Sequence, residues 1–93
     1  MNVEALVTKY INSAETVLKE IQRVDGSIHV PEENVNDILG HIMMYLEDAK
    51  YYKAQKKFEI SLTSIAYCEG LLEALRLLGA LKFKWPTKSE RKT

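Results

Sequence analysis

The sequence predicts an all-α protein, an up-and-down three-helix bundle over residues 1–81 followed by a basic, flexible tail over 82–93. Three observations point there. Apolar residues recur at helical spacing in three separate blocks, at about 2–25, 31–54 and 57–80. Only 4 Gly and 2 Pro punctuate the 93 residues, too few to turn a chain between many short strands. The mix of 46% apolar and 28% charged residues is that of a globular chain, and 93 residues hold a single core.

In the first helix, Val3, Val7, Tyr10, Ala14, Val17, Ile21 and Val24 follow at steps of four and three, which holds them on one line. Leu6, Ile11 and Leu18 widen that line to the arc of a bundle helix rather than a narrow coiled-coil seam. Asp25-Gly26 supplies a stop, since Gly takes a left-handed cap without steric cost. The second helix opens at Pro31-Glu32-Glu33, where Pro suits the first helical position and two carboxylates meet the positive end of the helix dipole. Its stripe is Val35, Ile38, Ile42, Tyr45, Ala49 and Tyr52, broadened by Leu39, Met43 and Leu46.

The third helix places Phe58, Leu62, Ile65, Leu72, Leu75 and Gly79 on one line, with Leu71, Leu77, Leu78 and Leu81 spilling onto other faces. Between the last two helices, Lys53-Ala54-Gln55-Lys56-Lys57 contains neither Gly nor Pro, so one unbroken helix from Pro31 to Gly79 is the alternative. Such a rod would have to dimerise to cover its stripe.

Charge and cysteine content narrow the functional classes. The net charge is zero, but residues 1–81 carry 12 acidic and 8 basic side chains, and Lys82, Lys84, Lys88, Arg91 and Lys92 oppose only Glu90 in the tail. A neutral chain argues against a dedicated nucleic-acid binder. The single Cys68 rules out an internal disulfide, no stretch reaches the roughly 18 apolar residues of a membrane span, and the start Met-Asn-Val-Glu is unlike a secretory signal. A cytoplasmic location, with no membrane association, is the expectation.

Two segments carry a family likeness. Tyr45-Leu46-Glu47-Asp48-Ala49-Lys50-Tyr51-Tyr52, followed by Ile65-Ala66-Tyr67-Cys68-Glu69-Gly70-Leu71-Leu72-Glu73-Ala74-Leu75-Arg76-Leu77-Leu78-Gly79, resembles a family of small archaeal proteins known as domain-of-unknown-function family 357. The likeness spans roughly residues 32–80. It implies a short up-and-down three-helix bundle, joined in some relatives to a nucleotidyltransferase-like domain, and implies no particular activity. Relatives often have a Gly-Asp turn between the last two helices where this chain has Ala54-Gln55. Read physically, Gly70 inside a helix costs about 1 kcal/mol relative to Ala, which a close approach by a neighbouring backbone would offset, and Ala49, Ala66 and Ala74 suit the same packing.

Catalytic signatures are absent from the sequence: no phosphate-binding Gly-rich loop, no nucleophile elbow, no His-Glu-x-x-His. Asp37 and His41 stand one turn apart, but two ligands do not make a metal site, so no cofactor or metal is expected and the pair reads as solvated surface. Cys68 reads as a packed thiol. Asp48, Tyr52, Glu69, Glu73 and Arg76 form the most interesting polar group, either an ion-pair network on the bundle rim or a contact for a cation or a nucleotide ribose. Tyr45, Tyr51, Tyr52 and Tyr67 beside Lys50, Lys53, Lys56 and Lys57 admit two readings, core-edge packing and stacking on nucleic-acid bases.

The leucines weigh most. Leu71, Leu77, Leu78 and Leu81 exceed what one bundle interface absorbs, and Phe83 and Trp85 follow them, so the leading expectation is an apolar docking surface. The sequence therefore predicts a non-enzymatic interaction or assembly module that contacts a protein partner or a second copy through helix three. RNA or nucleotide binding through Lys53, Lys56, Lys57 and the basic tail is the alternative.

Overall fold

A computed structural model describes residues 2–87 and 89, and among these it contains three helices and no strand: α1 (Val3–Glu20), α2 (Glu32–Ala54) and α3 (Phe58–Leu77). The Asn2 side chain caps α1 by accepting the Ala5 N–H at 2.7 Å. The helix ends at Glu20, short of the Asp25 expected from the stripe, because Ile21 is already extended at ψ 145°. Ile21 and Val24 are β-branched and exposed, so the last predicted turn has neither propensity nor packing to hold it. Pro31 precedes α2 as its cap residue, and its carbonyl accepts from the N–H groups of Asn34 and Val35.

The break between α2 and α3 sits in the lysine-rich segment. Lys56 adopts φ 59°, a left-handed conformation usually filled by Gly. The Lys57 N–H donates to the Tyr52 carbonyl at 2.9 Å and the Lys56 N–H to the Lys53 carbonyl at 3.0 Å, the two bonds of a Schellman motif. The chain is therefore a hairpin here and not a continuous rod. The same motif ends α3, where Gly79 takes φ 80°, the Ala80 N–H reaches the Leu75 carbonyl at 2.9 Å and the Gly79 N–H reaches that of Arg76 at 3.0 Å.

α2 and α3 pack along their length. On α2 the seam follows the predicted stripe, with Ile42 and Ala49 buried and Ile38, Leu39, Tyr45 and Leu46 around them. On α3 it runs through Ile65, Cys68, Leu72 and Leu75, the last only 1% exposed. Phe58 and Leu62, expected on that line, are 62% and 68% exposed. Counting back from Leu75 and Cys68 by one heptad reaches Ser61 instead. Its hydroxyl donates to the Ala49 carbonyl at 2.7 Å and so fixes the register of the two helices near their turn.

The third side of the bundle stands open. No Cα of α1 comes within 8 Å of a Cα in α2 or α3. Residues of α1 face the start of α3 across a groove, and connector residues Ile28–Val30 lie beside Leu78–Leu81 at the far end of α3, which preserves the up-and-down order. The radius of gyration is 16.1 Å, against about 12 Å for a compact chain of this length.

Candidate functional site

α1 presents an apolar face to solvent. Val3, Val7, Tyr10, Ile11, Val17 and Leu18 are each at least half exposed, and none of the α1 side chains is buried. Periodicity places them on one face; what periodicity could not foretell is that this face lacks a partner. Opposite it, Glu59, Ile60 and Thr63 of α3 complete an open groove of about 640 Å³ whose α1 wall is Val3, Leu6, Val7, Tyr10, Ile11 and Ala14. From Ile60 and Thr63 the same face of α3 continues at steps of four and three through Tyr67, Gly70, Ala74 and Leu77, all of them exposed.

The leucines singled out by sequence divide into two pairs. Leu71 and Leu81 are half-buried against the Ile42–Cys68–Leu75 core. Leu77 and Leu78 remain 71% and 60% exposed. Phe83 and Trp85 also differ from expectation, since they form an edge-to-face pair 5.0 Å apart and the Trp85 indole N–H donates to Glu73 Oε1 at 3.0 Å. The start of the expected flexible tail is thus anchored on α3. Lys88, Glu90, Arg91 and Lys92 lie outside the described residues.

The polar group is smaller than its sequence reading. Glu73 and Arg76 form a two-pronged ion pair, Arg76 Nε to Oε1 at 2.6 Å and Nη2 to Oε2 at 2.8 Å. Arg76, then Trp85, hold the Glu73 carboxylate by hydrogen bonding and lower its pKa to about 2. Asp48, Tyr52 and Glu69 contribute no hydrogen bond or ion pair to it among the described residues. The carboxylate of Glu73 is engaged by a side chain on either flank, so the arrangement anchors the C-terminal segment to α3. Among the described residues no three His, Cys, Asp or Glu side chains are grouped to hold a metal, and Asp37 and His41 are both exposed. Cys68 is buried, and that burial, with Glu69 next to it, raises its thiol pKa, the opposite of a reactive cysteine.

A Cβ built on Gly70 meets nothing within 4 Å, and Ala66 and Ala74 are exposed, so the close approach expected at Gly70 does not occur among the described residues. Ala49 alone of that group is buried. Tyr45 and Tyr67 touch across α2 and α3 with ring centroids 4.5 Å apart, a packing contact at the edge of the core. Lys53, Lys56 and Lys57 are exposed at the hairpin turn, between the exposed rings of Tyr51 and Phe58.

No helix among the described residues is long and apolar enough to cross a membrane. No curated protein and no solved structure matches the chain. A profile described as Protein of unknown function (DUF357) matches residues 9–81, from the middle of α1 to the end of the α3 cap. The matched stretch takes in both helices of the hairpin and the second half of α1, and on that extent the chain belongs to the DUF357 family.

Proposed function

We propose that the chain is a non-enzymatic interaction or assembly module, acting through the apolar face of α1 and the outer face of α3 that ends in Leu77 and Leu78. One observation carries the reading. The accessible surface is 8473 Å², whereas a compact folded chain of 10.7 kDa exposes about 5,500 Å². Part of the excess is apolar, because α1 alone leaves Val3, Val7, Tyr10, Ile11, Val17 and Leu18 at least half exposed. Soluble monomers rarely keep contiguous apolar patches above a few hundred Å², and those that do use them for contact.

The test is affinity capture with the wild-type chain and a Val7→Glu, Val17→Glu chain side by side. Both substitutions lie on α1, away from the α2·α3 seam, so the hairpin core is untouched. Macromolecules, further copies of the chain included, that wild type retains and the variant releases support the proposal; identical recoveries refute it.

A second reading rests on the hairpin turn. Lys53, Lys56 and Lys57 have no ion-pair partner among the described residues and stand beside exposed Tyr51 and Phe58, a pattern suited to phosphate and base contact. RNA binding at low salt that weakens steeply as salt is added, and is lost in Lys53→Ala, Lys56→Ala, Lys57→Ala, would favour it. No mobility shift with any RNA at low salt would end it.

A further inference from the structure

Resting on the interaction reading above, we infer that the occupant of the α1–α3 groove is a second copy of this chain, bound by exchange of α1. In the dimer α1 of each copy enters the groove of the other. It then lies between the partner's α1 and the partner's α3, so the four helices form one layer related by a twofold axis.

Four features of the chain favour a second copy over an unrelated protein. First, the surplus surface suffices for an obligate interface: roughly 3,000 Å² per chain above the compact value, where such interfaces bury about 1,000–2,500 Å² per partner. Second, the complement to α1 is present in the same sequence. Val3, Val7, Tyr10, Ala14 and Val17 repeat at steps of four and three, as do Ile60, Thr63, Tyr67, Gly70, Ala74 and Leu77. The two rows have similar lengths, because 18 helical residues rise about 27 Å. Third, Leu6, Ile11 and Leu18 make the α1 stripe wider than one neighbour covers, which suits a helix held between two others. Fourth, the net charge is zero, so copies meet without electrostatic repulsion.

Reach and space are consistent with exchange. Residues 21–31 separate α1 from α2 and span up to about 35 Å when extended. The small side chains at Gly70 and Ala74, with nothing within 4 Å of a Gly70 Cβ, leave room for a helix to approach α3 closely.

The experiment is sedimentation equilibrium of the full chain from about 1 to 100 µM, with small-angle scattering on the same samples. The expected result is twice 10.7 kDa for wild type and 10.7 kDa for Val7→Glu, Val17→Glu, with helicity lowered in the variant because an isolated 18-residue helix is marginal. Exchange itself is read by mixing a chain carrying Ala14→Cys with one carrying Thr63→Cys, both of which line the groove. Mild oxidation should give a disulfide-linked pair, and an intrachain bond at monomer mass in the doubly substituted chain would overturn exchange. A monomer at 100 µM with a radius of gyration near 16 Å overturns self-association yet leaves the interaction reading standing. A monomer that has contracted to about 12 Å overturns both, since α1 would then be covered by its own hairpin.

Discussion

Replacing Lys56 with glycine tests the hairpin by the sign of a stability change. Lys56 holds φ 59°, and its N–H and that of Lys57 bond to carbonyls of α2, so every interaction at the turn is made by backbone and survives the substitution. The Lys56 side chain is exposed and has no ion-pair partner among the described residues, so nothing is lost with it. An L-residue in the left-handed region costs about 1–2 kcal/mol, and glycine offsets part of that gain by its greater freedom in the unfolded chain, about 0.5–1 kcal/mol. The net expectation is a stabilisation of roughly 0.5–1 kcal/mol. With a urea dependence of about 1 kcal/mol per M, the unfolding midpoint rises by roughly 0.5–1 M. Equilibrium urea unfolding followed by far-ultraviolet circular dichroism measures it. Were α2 and α3 one continuous helix, the same substitution would place Gly in a helix interior and destabilise by close to about 1 kcal/mol. A midpoint that falls would therefore refute the turn geometry described above.

Further outcomes follow from the seam, the ion pair and the open face. Ser61→Ala removes the bond to the Ala49 carbonyl and is expected to destabilise by about 1 kcal/mol, read by the same unfolding assay. Leu75→Ala should cost about 2–5 kcal/mol, because the side chain is 1% exposed at the centre of the only buried cluster among the described residues; a loss below about 1 kcal/mol would contradict that placement. The Glu73 carboxylate has a folded pKa lowered to about 2 from an ordinary 4.5, so its contribution is present above about pH 4.5 and is lost as pH falls through about 2. Fluorescence of Trp85, the sole tryptophan, should report that step as the indole loses its carboxylate, and Glu73→Gln should abolish it. If copies associate through α1, the melting temperature should rise with protein concentration in wild type and stay flat in Val7→Glu, Val17→Glu.

Much of the architecture is written in local pattern, and the departures have identifiable causes. The helices themselves are legible from spacing, and the α2 seam is the predicted stripe, because a partner helix selects the apolar line that periodicity reveals. On α3 the periodicity admits more than one line. The helix is apolar on several faces, and Phe58 and Leu62 outweigh Ser61 by hydrophobicity although Ser61 holds the seam position. The turn at Lys56 has no sequence signal, since the residue that takes the left-handed conformation is one that usually avoids it. Trp85 reads as part of a docking surface in the sequence because spacing cannot show a contact over twelve positions, and Glu73 reads there only as a member of the polar group. The open state of α1 is a tertiary fact with one local trace, the early end of the helix at Glu20.

If the chain associates as proposed, the size of its core couples fold and association. Only Ile42, Ala49, Cys68 and Leu75 are buried among the described residues, all in the α2·α3 hairpin. Two helices with one seam bury little of the surface that a chain of 93 residues exposes when unfolded, and such small cores are marginal without help. No disulfide supplies that help, since Cys68 is a free thiol. The apolar residues that could enlarge the core are already present on α1 and on the outer row of α3, and no Cα of one helix comes within 8 Å of the other. Covering them would enlarge that core, so the surface assigned to docking in the proposal is the same surface that the hairpin's own packing leaves in water.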